Sequence, residues 1–257
     1  MNKHAIWLMG GLGNQAFQIN QGLFLQRLGL EIVFVDNLLH KNLLTSKILN
    51  WTLHGKFCDE IFDIKTVTKK NIIPALAAKI YQSEYSRYYN DYIDDSKKIK
   101  SVNLFGYFQS NLDINQISLE LPTNRSVLLN SNKYVAHLRF GDALRPHENY
   151  IYYKKALKLA KDLYPKSEWT IVTDDKAQAK SVLKEICGFK YNINNRSVIE
   201  DFILLCSSDK IICSNSTFSW WGAQLNKNGP TIISSSNLFE HLPKFSHQGE
   251  VIVIGDN

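Results

Sequence analysis

The chain has 257 residues, room for one large domain or two small ones, and a hydrophobic fraction of 44% that is ordinary for a globular core. Its net charge of +6 favours anionic partners such as nucleotide sugars, acidic lipid surfaces or nucleic acid, although a merely soluble basic protein has the same balance. Cys58, Cys187, Cys206 and Cys213 form no C-x-x-C pair and have no histidine cluster beside them, which argues against a zinc site; no apolar run is long enough to cross a bilayer.

The scattered cysteines suit buried thiols in a reducing compartment. No signal peptide is read, so the expected location is cytoplasmic, or peripheral on the cytosolic face of the inner membrane.

In chain order, Ala5 to Met9 reads as a buried strand, and "GGLGNQ" follows it. Ala16, Ile19, Leu23, Phe24 and Leu28 then recur at helical spacing, with Gly29 placed to end the helix. "EIVFVD" reads as a second strand ending in Asp36. Gly11-x-Gly13-x-x-Ala16 matches the dinucleotide fingerprint, and Asp36 lies roughly twenty residues on, where a ribose-binding carboxylate belongs. A nicotinamide-dependent oxidoreductase of the Rossmann type is therefore one reading. A plain tight turn is another. The adjacent amides Asn14 and Gln15 suit a polar ligand better than a bland turn, because their donors and acceptors need partners.

"LFGYFQS" reads as a strand leading into a loop that carries Gln109, and the polar stretch "ELPTNRSVLLNSNK" reads as a joint between two halves. Beyond the joint, strand and helix alternate. "KYVAHLRF" is a strand, Tyr152 to Leu163 a helix, "EWTIVTDD" a strand and Lys176 to Ile186 a helix closed by Gly188. Val198 to Cys206 is a helix, "DKIICS" a strand, a helix opens near Thr217, and "TIISS" is the last strand. Such alternation predicts a parallel sheet covered on both faces, with ligands beyond the carboxyl ends of its strands.

The distinctive polar motifs fall at those ends. Arg139 has the planar fork that suits two phosphate oxygens, and also the option of pairing with Asp142. His137 is expected on the same side as Arg139 by strand alternation. Ser214, Asn215, Ser216 and Thr217 crowd the start of a helix, more polar groups than one N-cap needs, so an anion site is read beside the capping role. Phe218 is placed to lie against a base, while Trp220 and Trp221 read as core. Asp174, Asp175, Glu200 and Asp201 are each open to two readings, helix cap or ligand contact. No D-x-D pair occurs, which favours a metal-free mechanism over metal-assisted nucleotide-sugar binding.

"GGLGNQAFQ", "GYFQS", "HLRFGD" and "EDFILLC…IICSNSTFSWWGAQLN" follow one another as in the bacterial alpha-1,2-fucosyltransferases, which the chain resembles over roughly residues 4–235. The resemblance implies an α/β, GT-B-like fold of two Rossmann-like lobes facing a cleft, with an acceptor-side lobe at 1–120 and a GDP-sugar-binding lobe at 121–257. It implies an inverting enzyme that needs no cofactor or metal and takes GDP-fucose as donor. The default acceptor is a galactose-containing oligosaccharide or lipid-linked sugar in surface polysaccharide synthesis, with no nucleic acid involved and a peripheral membrane contact compatible. By the same resemblance Arg139 is the pyrophosphate arginine and Asn14 lies near the reacting sugar. His137, Asp175, Asp201, Asn215, Ser216, Thr217 and Phe218 fall on the donor side; Gly11, Gly13, Gln15 and Gln109 fall on the acceptor side. The family pattern H-x-R-R-G-D-Y is broken here by Phe140 and Ala143, so a helper charge is lost. Asp142, Asp175 and Glu200 remain open as general bases, and a basic binding module without catalysis is the third reading, resting on charge alone.

Overall fold

The computed structural model describes residues 3–8, 10–37, 57–69, 103–104, 108–109, 112, 117–122, 133–141, 146–193, 195–240, 242–246 and 249–255. The chain divides into two compact units, Met1–Pro122 and Thr123–Asn257.

In the first unit, strands β1 (Lys3–Leu8), β2 (Glu31–Asn37), β3 (Thr66–Lys69) and β4 (Asn103–Leu104) form a parallel sheet in the order β3-β2-β1-β4. Helix α1 (Leu12–Arg27) connects β1 to β2, and a short helix α2 (Phe57–Phe62) precedes β3. α1 starts four residues earlier than its apolar spacing indicates, inside the glycine loop. Gly10 takes a positive φ of 75°, and Gly11 is the extended N-cap, so the chain turns from strand into helix without a spacer. At the other end Gly29 has φ 88°, its N–H bonds to the Gln26 carbonyl, and the Leu30 N–H bonds to that of Leu25. These are the two bonds of a Schellman ending. Of the expected strand at "LFGYFQS", the described residues show Asn103–Leu104 as strand, and Phe108 departs from extended backbone at φ 53°; residues 105–107 and 110 lie outside the described residues.

The second unit has six parallel strands in the order β10-β9-β8-β5-β6-β7, with β5 Tyr134–Leu138, β6 Glu168–Thr173, β7 Lys190–Asn192, β8 Lys210–Ile212, β9 Thr231–Ser235 and β10 Val251–Ile254. Helices α3 (Pro146–Leu163), α4 (Lys176–Lys184), α5 (Val198–Cys206) and α6 (Thr217–Gln224) alternate with the strands, and a 3-10 turn spans Ser236–Glu240. β7 and β10 were not expected from the sequence. β7 is three residues long, and β10 follows the strand read as the last. α3 opens six residues before its expected start, at a proline whose fixed φ suits a first helical position.

The sheet grows from β5 in two directions: α3 and α4 lead to β6 and β7 on one side, and α5 carries the chain from β7 back to β8 on the other side, from which α6 leads to β9. α3 packs on α4 and α5 on α6, as right-handed crossovers on opposite faces require. The reversal between β5 and β8 is a switch point, where side chains at the strand ends stand around a gap left by the departing helices.

The core follows from burial on both faces of the sheet. Tyr152, Tyr153, Ala156, Leu157 and Ala160 form the inward stripe of α3. Trp169 packs edge-on against Tyr134 and stacks on Phe189. Trp220 and Trp221 are wholly buried and meet edge to face at 5.0 Å, so both are core, as their helical position predicts.

α5 and α6 approach so closely that a Cβ on Gly222 would lie 2.6 Å from the Cβ of Leu205. Replacing a helical glycine by alanine ordinarily stabilises by up to about 1 kcal/mol, whereas overpacking of this kind costs roughly 1–3 kcal/mol. The clash is expected to win: Gly222→Ala lowers stability in urea denaturation. A Gly222→Ala chain at least as stable as the parent contradicts the packing described.

Candidate active site

The ladder joining β5 to β6 ends at Leu138 and Thr173, and the chain beyond it is held by side chains. The Arg139 N–H donates to the Tyr153 hydroxyl at 3.0 Å, and that hydroxyl donates back to the Arg139 carbonyl at 3.0 Å. The next two N–H groups, of Phe140 and Gly141, donate to the two carboxylate oxygens of Asp174 at 2.9 and 3.1 Å. Gly141 lets the carboxylate come this near, because a Cβ there would stand 2.9 Å from Asp174 Oδ2. Phe140 turns into the core, 6% exposed and edge-on to Tyr153, whereas the Arg139 side chain remains 32% exposed. The Arg139 Nη1 lies 3.8 Å from Asp174 Oδ2. A half-exposed pair at that distance contributes ~0–1 kcal/mol, too little to lock the guanidinium.

His137 lies two residues before Arg139 and is 4% exposed. Its Nδ1 and the Ser214 hydroxyl share a hydrogen bond of 2.8 Å, which ties the end of β5 to the turn after β8. The network continues: Ser214 Oγ lies 3.2 Å from Ser219 Oγ, and the Ser219 hydroxyl reaches the carbonyls of Ser214 and Ser216. Burial first, and the neighbouring Arg139 charge second, bring the imidazole down from the usual 6.5 to about 3, so it is neutral near pH 7. Phe218 covers it, with ring centroids 5.2 Å apart, and stands edge-on to Phe202 at 5.4 Å.

Ser216 is the N-cap of α6 and accepts from the Phe218 N–H; Thr217 is the first helical residue. Both are half-buried. The Asn215 amide donates to Asn149 Oδ1 at 2.9 Å, which fastens the same turn to α3. The structure thus brings His137, Arg139, Asn215, Ser216, Thr217 and Phe218 to the ends of the neighbouring strands β5 and β8.

Two carboxylates expected near the ligand are engaged elsewhere. Asp175 is the N-cap of α4 and accepts from the backbone N–H and side-chain amide of Gln178 and from the Ala177 N–H, bonds that hold its carboxyl below the usual range. Glu200 closes a capping box with Ser197 and is lowered by bonds to that residue. Neither is poised as a general base, since both are stabilised in the charged form by the start of their own helix. Asp142 lies outside the described residues. Asp201 is half-buried and bonded at 2.7 Å to Arg196 Nε. Desolvation raises its carboxyl, and the Arg196 bond opposes the rise. Tyr153 and Asn149 carry no sequence signal, because each acts through a contact made across the fold, whereas Arg196 reaches Asp201 only five residues on.

In the first unit the nominated residues also meet. β1 and β4 are neighbours, and the Gln109 amide donates to Asn14 Oδ1, in the first turn of α1, at 2.9 Å. Gln15 is 5% exposed, and its amide donates to the Gly10 carbonyl at 3.0 Å, so it closes the glycine turn from within. Gly11 and Gly13 belong to the first turn of α1. Asp36 is 5% exposed, which does not present a carboxylate to a ribose, and the oxidoreductase reading is not favoured. Among the described residues no helix is long and apolar enough to cross a membrane.

Comparison with known proteins adds to this geometry. The family model described as "Glycosyl transferase family 11" matches residues 1–245. The O-antigen biosynthesis glycosyltransferase WbnK of Escherichia coli is 28% identical over 285 aligned positions, covering 89% of this chain and 92% of the relative. The alpha-1,2-colitosyltransferase of Escherichia coli is 28% identical over 262 positions, covering 85% and 86%. The crystal structure of the fucosyltransferase NodZ from Bradyrhizobium superposes with a TM-score of 0.54 at 10% identity, over 88% of this chain and 93% of that one. The ADP-heptose LPS heptosyltransferase II of Escherichia coli gives 0.53 at 11%, over 98% and 90%. At such identity the likeness shows the fold, which is α/β and GT-B-like.

The buried imidazole gives a signed pH dependence. The unfolded chain binds a proton near pH 6.5, while folded His137 does so only near pH 3. Stability from the neutral ring is therefore complete above about pH 6.5 and declines as pH falls below it, with a slope approaching ~1.4 kcal/mol per unit. The stability difference between the native chain and His137→Gln, measured by urea denaturation at pH 7, 6 and 5, is expected to shrink in that direction. Parallel stability curves contradict a neutral buried imidazole.

Proposed function

This chain belongs to glycosyl transferase family 11 and is a glycosyltransferase, and on that premise we propose that it moves L-fucose from GDP-fucose to the 2-hydroxyl of a galactoside, with inversion and without a metal. The observation that supports this reading most is the strand-end pair: a guanidinium on a braced loop after β5, beside a helix mouth of small hydroxyl residues after β8. Such a pair suits a diphosphate leaving group.

The acceptor hydroxyl attacks C1 of fucose as the bond from C1 to the β-phosphate oxygen breaks, and the bonding pair leaves on that oxygen. Arg139 and the start of α6 stabilise the growing charge; Ser216 and Thr217 add donors there. His137, Asp201 and Phe218 lie on the nucleoside side, and Asn14 with Gln109 on the acceptor side. The acceptor proton leaves to a base outside the two capping carboxylates or to water. The acceptor belongs to a surface polysaccharide, a reading supported by the name of the O-antigen relative. The enzyme works in the cytoplasm or at the inner face of the membrane on a lipid-linked sugar.

The test is incubation with GDP-fucose and a panel of galactosides, with nucleotide-activated colitose as the competing donor because one relative is named a colitosyltransferase. The linkage of the product is read by NMR. Transfer of colitose in preference to fucose overturns the donor assignment, and a product linked elsewhere than O2 overturns the regiochemistry. Arg139→Ala is expected to lower turnover roughly 100- to 1,000-fold, the usual loss for one preorganised donor, while circular dichroism shows the fold retained. Turnover within a few-fold of native removes Arg139 from the mechanism.

A further inference from the structure

Three consecutive backbone donors after β5 are taken by two side chains. Those of Phe140 and Gly141 go to Asp174 at the end of β6, and that of Arg139 goes to Tyr153 in the middle of α3, whose hydroxyl also serves the Arg139 carbonyl. The ladder itself has ended at Leu138. A loop leaving a sheet normally gives these groups to water. Here they are fixed from two different elements around the one residue whose side chain stays half-exposed at the strand end. Tyr153 is itself immovable. It is fully buried, it packs against Phe140 and Tyr152, and burial raises its phenol so that the hydroxyl keeps the proton it donates. Asp174 holds the loop through the backbone while standing 3.8 Å from the guanidinium, near enough to aim it and too exposed to occupy it.

We propose that Tyr153 and Asp174 are positioning residues that preorganise Arg139 toward the diphosphate of the donor, an inference that rests on the role given to Arg139 above. The break in the family's double arginine gives the device its purpose. With Phe140 in the core, the charge next in sequence is absent, and stabilisation of the leaving group depends the more on where the Arg139 guanidinium stands. A fixed cation costs no reorganisation as charge develops, whereas a misplacement of about 1 Å costs on the order of 100-fold in rate.

The test is a double-mutant cycle on the full chain. Tyr153→Phe keeps the ring and its packing but removes both bonds to Arg139 together with the hydroxyl's contact to Ser214; Asp174→Asn, at an exposed position, is the second variant, and it leaves Ser214 untouched. Each is expected to lower kcat on the order of 10- to 100-fold well below its melting temperature, with the acceptor KM unchanged. In an Arg139→Ala background the same substitutions are expected to cost less than about 2-fold, because there is no guanidinium left to aim. A purely structural role lowers the melting temperature and leaves kcat of the folded enzyme intact, or gives equal losses in both backgrounds; either result overturns the proposal. Inorganic pyrophosphate affinity by calorimetry runs the same cycle without any sugar. Failure of wild-type transfer from GDP-fucose therefore refutes the donor reading separately, while a pyrophosphate affinity unchanged by Arg139→Ala removes both Arg139 and its braces.

Discussion

His137 and Ser214 share a hydrogen bond in a place where neither can reach water, and the strand ends of the second unit are arranged around it. The bond joins the last turn of β5 to the turn that opens α6, two segments 77 residues apart in sequence. A buried imidazole is tolerable only when neutral and bonded, so Ser214 must stay in register with His137. Ser219 and Ser216 then follow through the same network, and the mouth of α6 is placed beside the loop that carries Arg139. Phe218 seals the arrangement from above and keeps the ring desolvated.

Polar residues at the carboxyl ends divide by whether a helix start has already taken them. Asp175 and Ser216 accept from the first N–H groups of the helix that follows, and Glu200, inside α5, accepts from the Ser197 N–H before it; such contacts form locally whatever else the site contains. Asp174 comes one residue before a cap and so remains available to the neighbouring loop. A difference of one position along the chain thus separates a carboxylate that starts a helix from one that braces an arginine. The glycine loop of the first unit follows a similar economy: Gln15 turns inward to hold Gly10, while its neighbour Asn14 meets Gln109.

Much of the second unit was legible in the sequence. Burial on both faces of a parallel sheet leaves a mostly apolar run at "YVAHL" and the pair Ile232–Ile233 in "TIISS", and caps and glycines mark the helix ends between them. The capping box at Ser197 and Glu200 is local chemistry, and α5 falls at its expected bounds. The short strands were not legible. β7 is set by pairing with β6 over three residues, and β10 by pairing with β9, so neither had a period long enough to read. The start of α1 was hidden because glycines weaken a helical signal, yet here Gly11 and Gly13 form its cap and first turn.

The sequence by itself determined the alternation of strand and helix, the parallel sheet and the placing of His137, Arg139 and the Ser214–Phe218 run at strand ends, because those follow from periodicity and from contacts within a few residues. Only the tertiary structure decided which partner each polar group takes. It paired Arg139 with Asp174 and Tyr153, and His137 with Ser214. These choices depend on the order in which strands lie side by side. β5 stands between β6 and β8, and that order is settled by the hand of the crossovers and the burial of the whole sheet, which no stretch of the chain records alone.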